Sequence, residues 1–286
     1  MLANFMPTGA EYAQIAPELI LIVVGTLIML LEAVMGEGRK PIVTVLALLG
    51  LVGGIFAALS APQGAAFQGM LMVDGFATFF RVLVMVAGIL VLLSSSEYLQ
   101  REDHDMGEYY ALVLFSIVGQ CLMAAANELI MIFIGLEISS IASYILAGFL
   151  RDDKRANESA LKYFLLGSFA TAFLLYGVAW VYGATGSTNL ATIHNALLSG
   201  ASSATPLISV AAALIFVGLA FKISAAPFQG WAPDVYQGAP APVSGFLTVG
   251  PKAAAFAVLI RIFVEAFSNI SDRWLPVVWG CALATM

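Results

Sequence analysis

Hydrophobic positions along this chain gather into long runs separated by short polar breaks. A helix needs about 20 apolar residues, at 1.5 Å each, to cross a bilayer. Runs of about that length fall at 15–35, 42–59, 75–94, 109–126, 129–150, 160–182, 206–231 and 243–267. The pattern predicts an all-α, polytopic transmembrane helix bundle. A ninth run starts near Leu275 and stops at Met286. Its last carbonyls would lie unpaired in hydrocarbon, so a chain that is part of a longer one is expected.

The polar breaks carry their own pattern. Arg39, Lys40, Arg101, Arg151, Lys154 and Arg155 follow the first, third and fifth runs, and the breaks after the second, fourth and sixth hold no Lys or Arg. The bias of positive loops toward the cytoplasm then places the N-terminus outside. Arg273, beside Asp272, is the exception. The first 17 residues hold no Lys or Arg, so the opening run lacks the basic start of a cleavable signal and reads as a retained span. Between the sixth and seventh runs, a Gly/Ser/Thr/Ala-rich stretch holds a short amphipathic piece at 190–198, expected to be an interfacial helix on the outer side.

Within the runs, a few charges stand out. Lys222 and Lys252 sit in apolar segments that Pro227 and Pro251 interrupt. A charge at the bilayer centre costs roughly 2.5–3.5 kcal/mol on insertion scales, so each is a functional candidate. Pro227 has no N–H and would clash with the carbonyl of Ile223, which predicts a discontinuous seventh helix, broken near 224–227. Lys222 would then end the first half-helix. The carbonyls left there favour a cation, whereas removal from water favours the neutral amine, and opposed demands suit a reversible proton site. Pro251 is expected to repeat the arrangement beside Lys252 by freeing the carbonyl of Leu247. Glu137 lies nine residues after Glu128, about 14 Å into the fifth span and near the midplane. A buried carboxylate needs a partner, and Lys162 on the neighbouring span is the expected one.

Each candidate has a plainer reading. Lys162 is one turn into its span and can snorkel to the interface. Glu137, Lys222 and Lys252 could form structural ion pairs. Arg81, seven residues after Asp74, is expected to pair with it as an anchor. Glu128 suits a helix start, and Glu18, Glu32 and Glu265 lie near span ends. His104, in the loop REDHDMGE, reads as a solvated residue, and His194 as interfacial. Phe79, Phe80, Met85, Phe164 and Phe173 suit packing and lipid contact, and Trp180, Trp231 and Tyr236 suit aromatic belts at span ends.

Composition narrows the class further. Of 286 residues, 61% are hydrophobic and 10% charged, against roughly 25% charged in a soluble domain. The net charge is −6 with no basic run, which excludes a nucleic-acid partner and leaves the lipid bilayer. Cys121 and Cys281 have no CxxC spacing, so no iron–sulfur or zinc site can be assembled from them.

Three motifs in order, FIGLEISSIASYILAG at 133–148, NESALKYFLLGSF at 157–169 and FKISAAPFQGWAPDVYQGAPAPVSGFLTVGPKAAAF at 221–256, carry a family resemblance. The chain from about Asp74 onward resembles the proton-translocating antiporter-like subunits of respiratory complex I. Its DVYQGAP wording is similar to the N-type subunit of bacterial NADH:quinone oxidoreductase. The resemblance implies the first half of an inverted-repeat antiporter-like fold: three N-terminal helices over 1–108, a five-helix proton-channel unit over 109–270, and the start of a ninth helix over 271–286. It implies a proton path through Glu137, Lys162, Lys222 and Lys252, coupled to NADH oxidation and quinone reduction elsewhere. Glu137 would hold the proton on Lys162 and release it toward Lys222 and Lys252 when neutralised or displaced. The implied setting is the bacterial inner membrane, beside an M-type antiporter-like subunit and small K-, J- and A-type subunits. FMN, iron–sulfur clusters and quinone would belong to other subunits, with no cofactor or redox centre in this chain. Many relatives carry His two residues after the proline of the broken helix; Gln229 stands there. Glutamine orients water but takes up no proton near neutral pH. A multisubunit cation/proton antiporter would use the same lysines, and a membrane scaffold would leave them unexplained.

Overall fold

Hydrocarbon offers a backbone no hydrogen-bond partners, so apolar runs satisfy themselves as helices. The computed structural model describes residues 6–35, 40–102, 106–199 and 205–286; Arg39 and His104 lie outside the described residues. After α1 (Gly9–Gln14) come α2 (Ala16–Met35) and α3 (Lys40–Ser60), then a hairpin of β1 (Gly64–Ala66) and β2 (Leu71–Val73) with Gly64 opposite Val73. The bundle continues through α4 (Gly75–Arg101), α5 (Gly107–Ala125), α6 (Leu129–Ala147) and α7 (Lys154–Thr185). Next are α8 (Leu190–Leu198), α9 (Thr205–Ile223), α10 (Ala232–Gly238), α11 (Ala241–Ile260) and α12 (Ser271–Thr285). Among the described residues, eight helices are long and apolar enough to cross a membrane, and each overlaps one of the eight expected runs, the seventh ending at Ile223 and not at 231. The short helix expected at 190–198 is α8.

The centre of the bundle is α5, with 78% of its span buried against 28% for α2. It packs on α2, α3, α4, α6 and α11. Glycine allows its close approach to α6: a Cβ on Gly119 would stand 2.5 Å from the carbonyl oxygen of Gly135 and the amide nitrogen of Ser139. Polar side chains occupy this seam. Ser116 Oγ lies 3.1 Å from Ser139 Oγ and 3.3 Å from Ser143 Oγ, and Gln120 Nε2 donates to Ser116 Oγ at 3.1 Å.

Two buried arginines tie the helices together, with partners other than the expected ones. Arg81 pairs with Glu18 on α2 at 2.7 Å, and not with Asp74. Seven residues carry Arg81 about 10 Å up α4 from its N-cap. Asp74 is engaged elsewhere: it accepts the amide of Ala77 at 2.7 Å as the cap of α4 and takes Arg261 Nη2 at 2.7 Å. Arg261 also donates to the Ala124 carbonyl at 3.2 Å and to Glu265 at 3.3 Å, and its guanidinium lies 4.9 Å from the Phe76 ring centroid. It opens a π-helical turn over Arg261–Ala266 that continues α11, and its side chain is buried there. One residue thereby joins the start of α4, the end of α5 and the end of α11.

Both prolines of the lysine region behave differently from one another. Helix α9 ends at Ile223, and turns over 224–231, including a cis Ala226–Pro227 bond, lead to α10. By contrast, α11 runs through Pro251 without a break. A single missing N–H leaves one rung of the ladder open, and packing against α4, α5 and α9 holds the helix together.

Candidate functional site

Helix α9 ends in a Schellman turn. The amide of Ala225 donates to the Ala220 carbonyl at 2.9 Å and that of Ser224 to the Phe221 carbonyl at 3.0 Å. Ser224 takes the left-handed conformation, with φ of 59°, that glycine usually supplies. Trp231 Nε1 gives the Phe221 carbonyl a second donor at 2.9 Å. The carbonyls expected to lie open beside Lys222 are therefore partly satisfied, and the ammonium finds its partners in side chains.

Lys222 is 4% exposed. Its Nζ donates to Ser140 Oγ on α6 at 2.8 Å and to Tyr163 Oη on α7 at 3.3 Å. It lies 5.5 Å from the Tyr163 ring centroid and 5.9 Å from that of Tyr144, within cation–π range. Trp231 stacks on Tyr163 at 4.6 Å with 8° between the planes, and Tyr144 meets Tyr163 edge-on at 4.7 Å. Neutral hydroxyls and ring faces thus surround a buried amine, and among the described residues Lys222 makes no direct ion pair.

One turn before Ser140 on the same helix face is Glu137. Its Oε1 is buried and, among the described residues, accepts no hydrogen bond. The structure does not bring Glu137 to Lys162. Lys162 bonds Asp234 of α10 and Glu158 of α7, each at 2.7 Å, with its side chain 41% exposed. This triad lies in a polar cleft of about 190 Å³ that Arg155 and Gln237 also line. The reason is azimuth: adjacent helical residues point about 100° apart, so Lys162 faces α10 while Tyr163 faces Lys222. Lys252 is half-buried on α11, with Nζ 5.5 Å from the ring centroid of Tyr236. Gln229 is exposed.

Several residues of this site escaped the sequence reading. Trp231 is buried in the aromatic cage and not at an interfacial belt. The apolar pattern does not single out Ser140, Tyr144 or Tyr163, although serines crowd after Glu137 in an otherwise apolar span, which is a usable signal. Glu128 does stand at the start of α6, where its carboxylate accepts the Thr188 hydroxyl. His194 lies 3.1 Å from Ser268 Oγ. Among the described residues, no three His, Cys, Asp or Glu side chains could hold a metal.

The family described as NADH:quinone oxidoreductase/Mrp antiporter, transmembrane, matches residues 126–286, which include Glu137, Lys162, Lys222 and Lys252. NADH-quinone oxidoreductase subunit N 1 of Solibacter usitatus is 61% identical over 272 residues, covering 94% of this chain and 56% of the relative. A chain of respiratory complex I from Thermus thermophilus with bound aureothin superposes with a TM-score of 0.70 at 36% identity, covering 86% of this chain and 52% of that one. A chain of the Mrp complex from Dietzia sp. gives 0.73 at 22% identity, covering 93% of this chain and 51% of that one, a likeness of fold alone. The chain spans a little over half the length of these proteins. With a bundle of this form and a matched stretch that contains all four candidate charges, the chain belongs to the NADH:quinone oxidoreductase/Mrp antiporter transmembrane family.

Proposed function

We propose that this chain moves protons across the membrane as an N-type membrane-arm subunit of a bacterial respiratory NADH:quinone oxidoreductase. The observation that carries this reading is Lys222: a buried amine held by neutral groups, one of which, Ser140, lies one helical turn from the buried carboxyl of Glu137. A lysine serving structure alone would be tied directly to a carboxylate, because breaking such a pair costs about 3–5 kcal/mol. Lys222 has no such tie to break when it changes charge.

In this scheme the cleft of Lys162, Glu158 and Asp234 is the mouth of the path, and the next residue of α7, Tyr163, touches Lys222. Helices α9 and α10 form one discontinuous crossing, and Lys252 receives the proton from Lys222. The N-terminus faces the periplasm. Redox chemistry at FMN, iron–sulfur clusters and quinone belongs to other subunits, and the neighbours are an M-type antiporter-like subunit and small K-, J- and A-type subunits. Moving one charge against the membrane potential requires about 2.3 kcal/mol per 100 mV, within the range that removing or restoring a nearby carboxylate charge can supply. Glu137→Gln in the whole complex tests this reading. NADH-driven proton uptake into vesicles should be lost at normal assembly; uptake at the parent rate would overturn it.

A further inference from the structure

Lys222 and Lys252 each lean on a tyrosine, and the two tyrosines are neighbours. Lys222 Nζ donates to Tyr163 Oη at 3.3 Å. Lys252 Nζ lies 5.5 Å from the Tyr236 ring centroid. Trp231 joins the two, with its ring stacked on Tyr163 at 4.6 Å and edge-on to Tyr236 at 5.8 Å. The Tyr236 hydroxyl is buried and, among the described residues, has no hydrogen-bond partner. Buried hydroxyls are almost always satisfied by protein or ordered water, so this one, on a ring beside the Lys252 amine and Trp231, is suited to bind water.

We propose that Tyr163 and Tyr236, bridged by ordered water, relay the proton from Lys222 to Lys252; this rests on the proton-translocation reading above. A phenol both accepts and donates, so it passes a proton without net change of charge. The Lys222 ammonium gives a proton to Tyr163 Oη as the original Tyr163 proton leaves to water. Water protonates Tyr236 Oη in the same way, and the proton released there goes to the Lys252 amine. Only N–H and O–H bonds form and break. Lys222 ends neutral, Lys252 ends charged, and rotation of both hydroxyls resets the relay. Gln229, exposed on the turn, takes no part.

The test uses the whole complex in vesicles, with Tyr163→Phe, Tyr236→Phe and, as reference, Lys222→Ala. Either phenylalanine variant should lose on the order of tenfold or more in NADH-driven proton uptake at matched assembly. Fluorotyrosine at 163 or 236 keeps the shape of the ring but makes the phenol more acidic. It should move the pH profile of uptake to lower pH, a change that a structural role would not produce, and it decides the matter if a phenylalanine variant fails to assemble. Phenylalanine variants that pump at the parent rate, or fluorotyrosine profiles that coincide with the parent's, would overturn the relay while Lys222→Ala remained inactive. Pumping intact in Lys222→Ala would instead remove the translocation reading and the relay with it.

Discussion

Glu18 and Arg81 form an ion pair whose side chains are 3% and 0% exposed, and its two halves should respond unequally to mutation. The contact is 2.7 Å, yet it lacks hydrogen-bond alignment, and among the described residues Arg81 Nε and Nη1 and Glu18 Oε2 have no hydrogen-bond partner. Glu18→Gln leaves a guanidinium that cannot shed its proton, buried and uncompensated, at a cost of about 3–5 kcal/mol. Arg81→Met leaves a carboxyl that a proton can neutralise, reducing the loss to the roughly 1–3 kcal/mol of an unsatisfied buried polar group. The double variant Glu18→Leu/Arg81→Met removes both charges and should fall within about 1 kcal/mol of the parent, far from the sum of the single losses. Thermal unfolding of the detergent-solubilised chain, followed by helical circular dichroism, reads all three. Equal losses for the two single variants, or a double variant that loses their sum, would refute the reasoning.

Glu11, outside the spans, accepts the amides of Thr8 at 2.7 Å and Phe67 at 2.6 Å, and these bonds hold its carboxyl below the usual carboxylate range. A depressed folded-state pKa gives a contribution that is present above the ordinary carboxylate value and lost as pH falls through the folded one; amide protection at Phe67 should follow that course, and in Glu11→Gln it should not. Gly119→Ala would push a methyl against backbone atoms of α6 at 2.5 Å, and should cost about 1–3 kcal/mol in thermal unfolding. Gly183→Ala, with nothing within 4 Å, should be neutral or slightly stabilising. Arg261→Lys cannot span Asp74, the Ala124 carbonyl and Glu265 together, and should cost about 2 kcal/mol in the same assay.

The spans were legible because hydrocarbon demands unbroken apolar runs, and each of the eight spanning helices overlaps its run, the seventh ending at Ile223 where the run continues to 231. Their water-side extensions were not. Helix α4 continues to Arg101 and α7 starts at Lys154, well beyond the apolar pattern, because a helix can run on into water with polar residues. Rotation about each helix axis was hidden, and partner choice depends on it. Arg81 therefore went to Glu18, Lys162 to Asp234 and Glu158, and Arg261 was missed altogether. The expected break at Pro251 did not appear because packing on its neighbours keeps α11 continuous, a tertiary effect that local sequence does not encode. Trp231 is buried because the turn after Pro227 folds it back onto Tyr163, where a position at the end of an apolar run suggested a membrane surface.

The account stands most directly on Lys222, and the measurement is NADH-driven proton uptake by vesicles carrying the whole complex, with the parent and Lys222→Ala compared at matched assembly. The account predicts that uptake is lost and that NADH:quinone turnover falls with it, because the buried amine is an obligatory step of a coupled path. Uptake and turnover both at parent levels would show Lys222 to be structural and contradict the account.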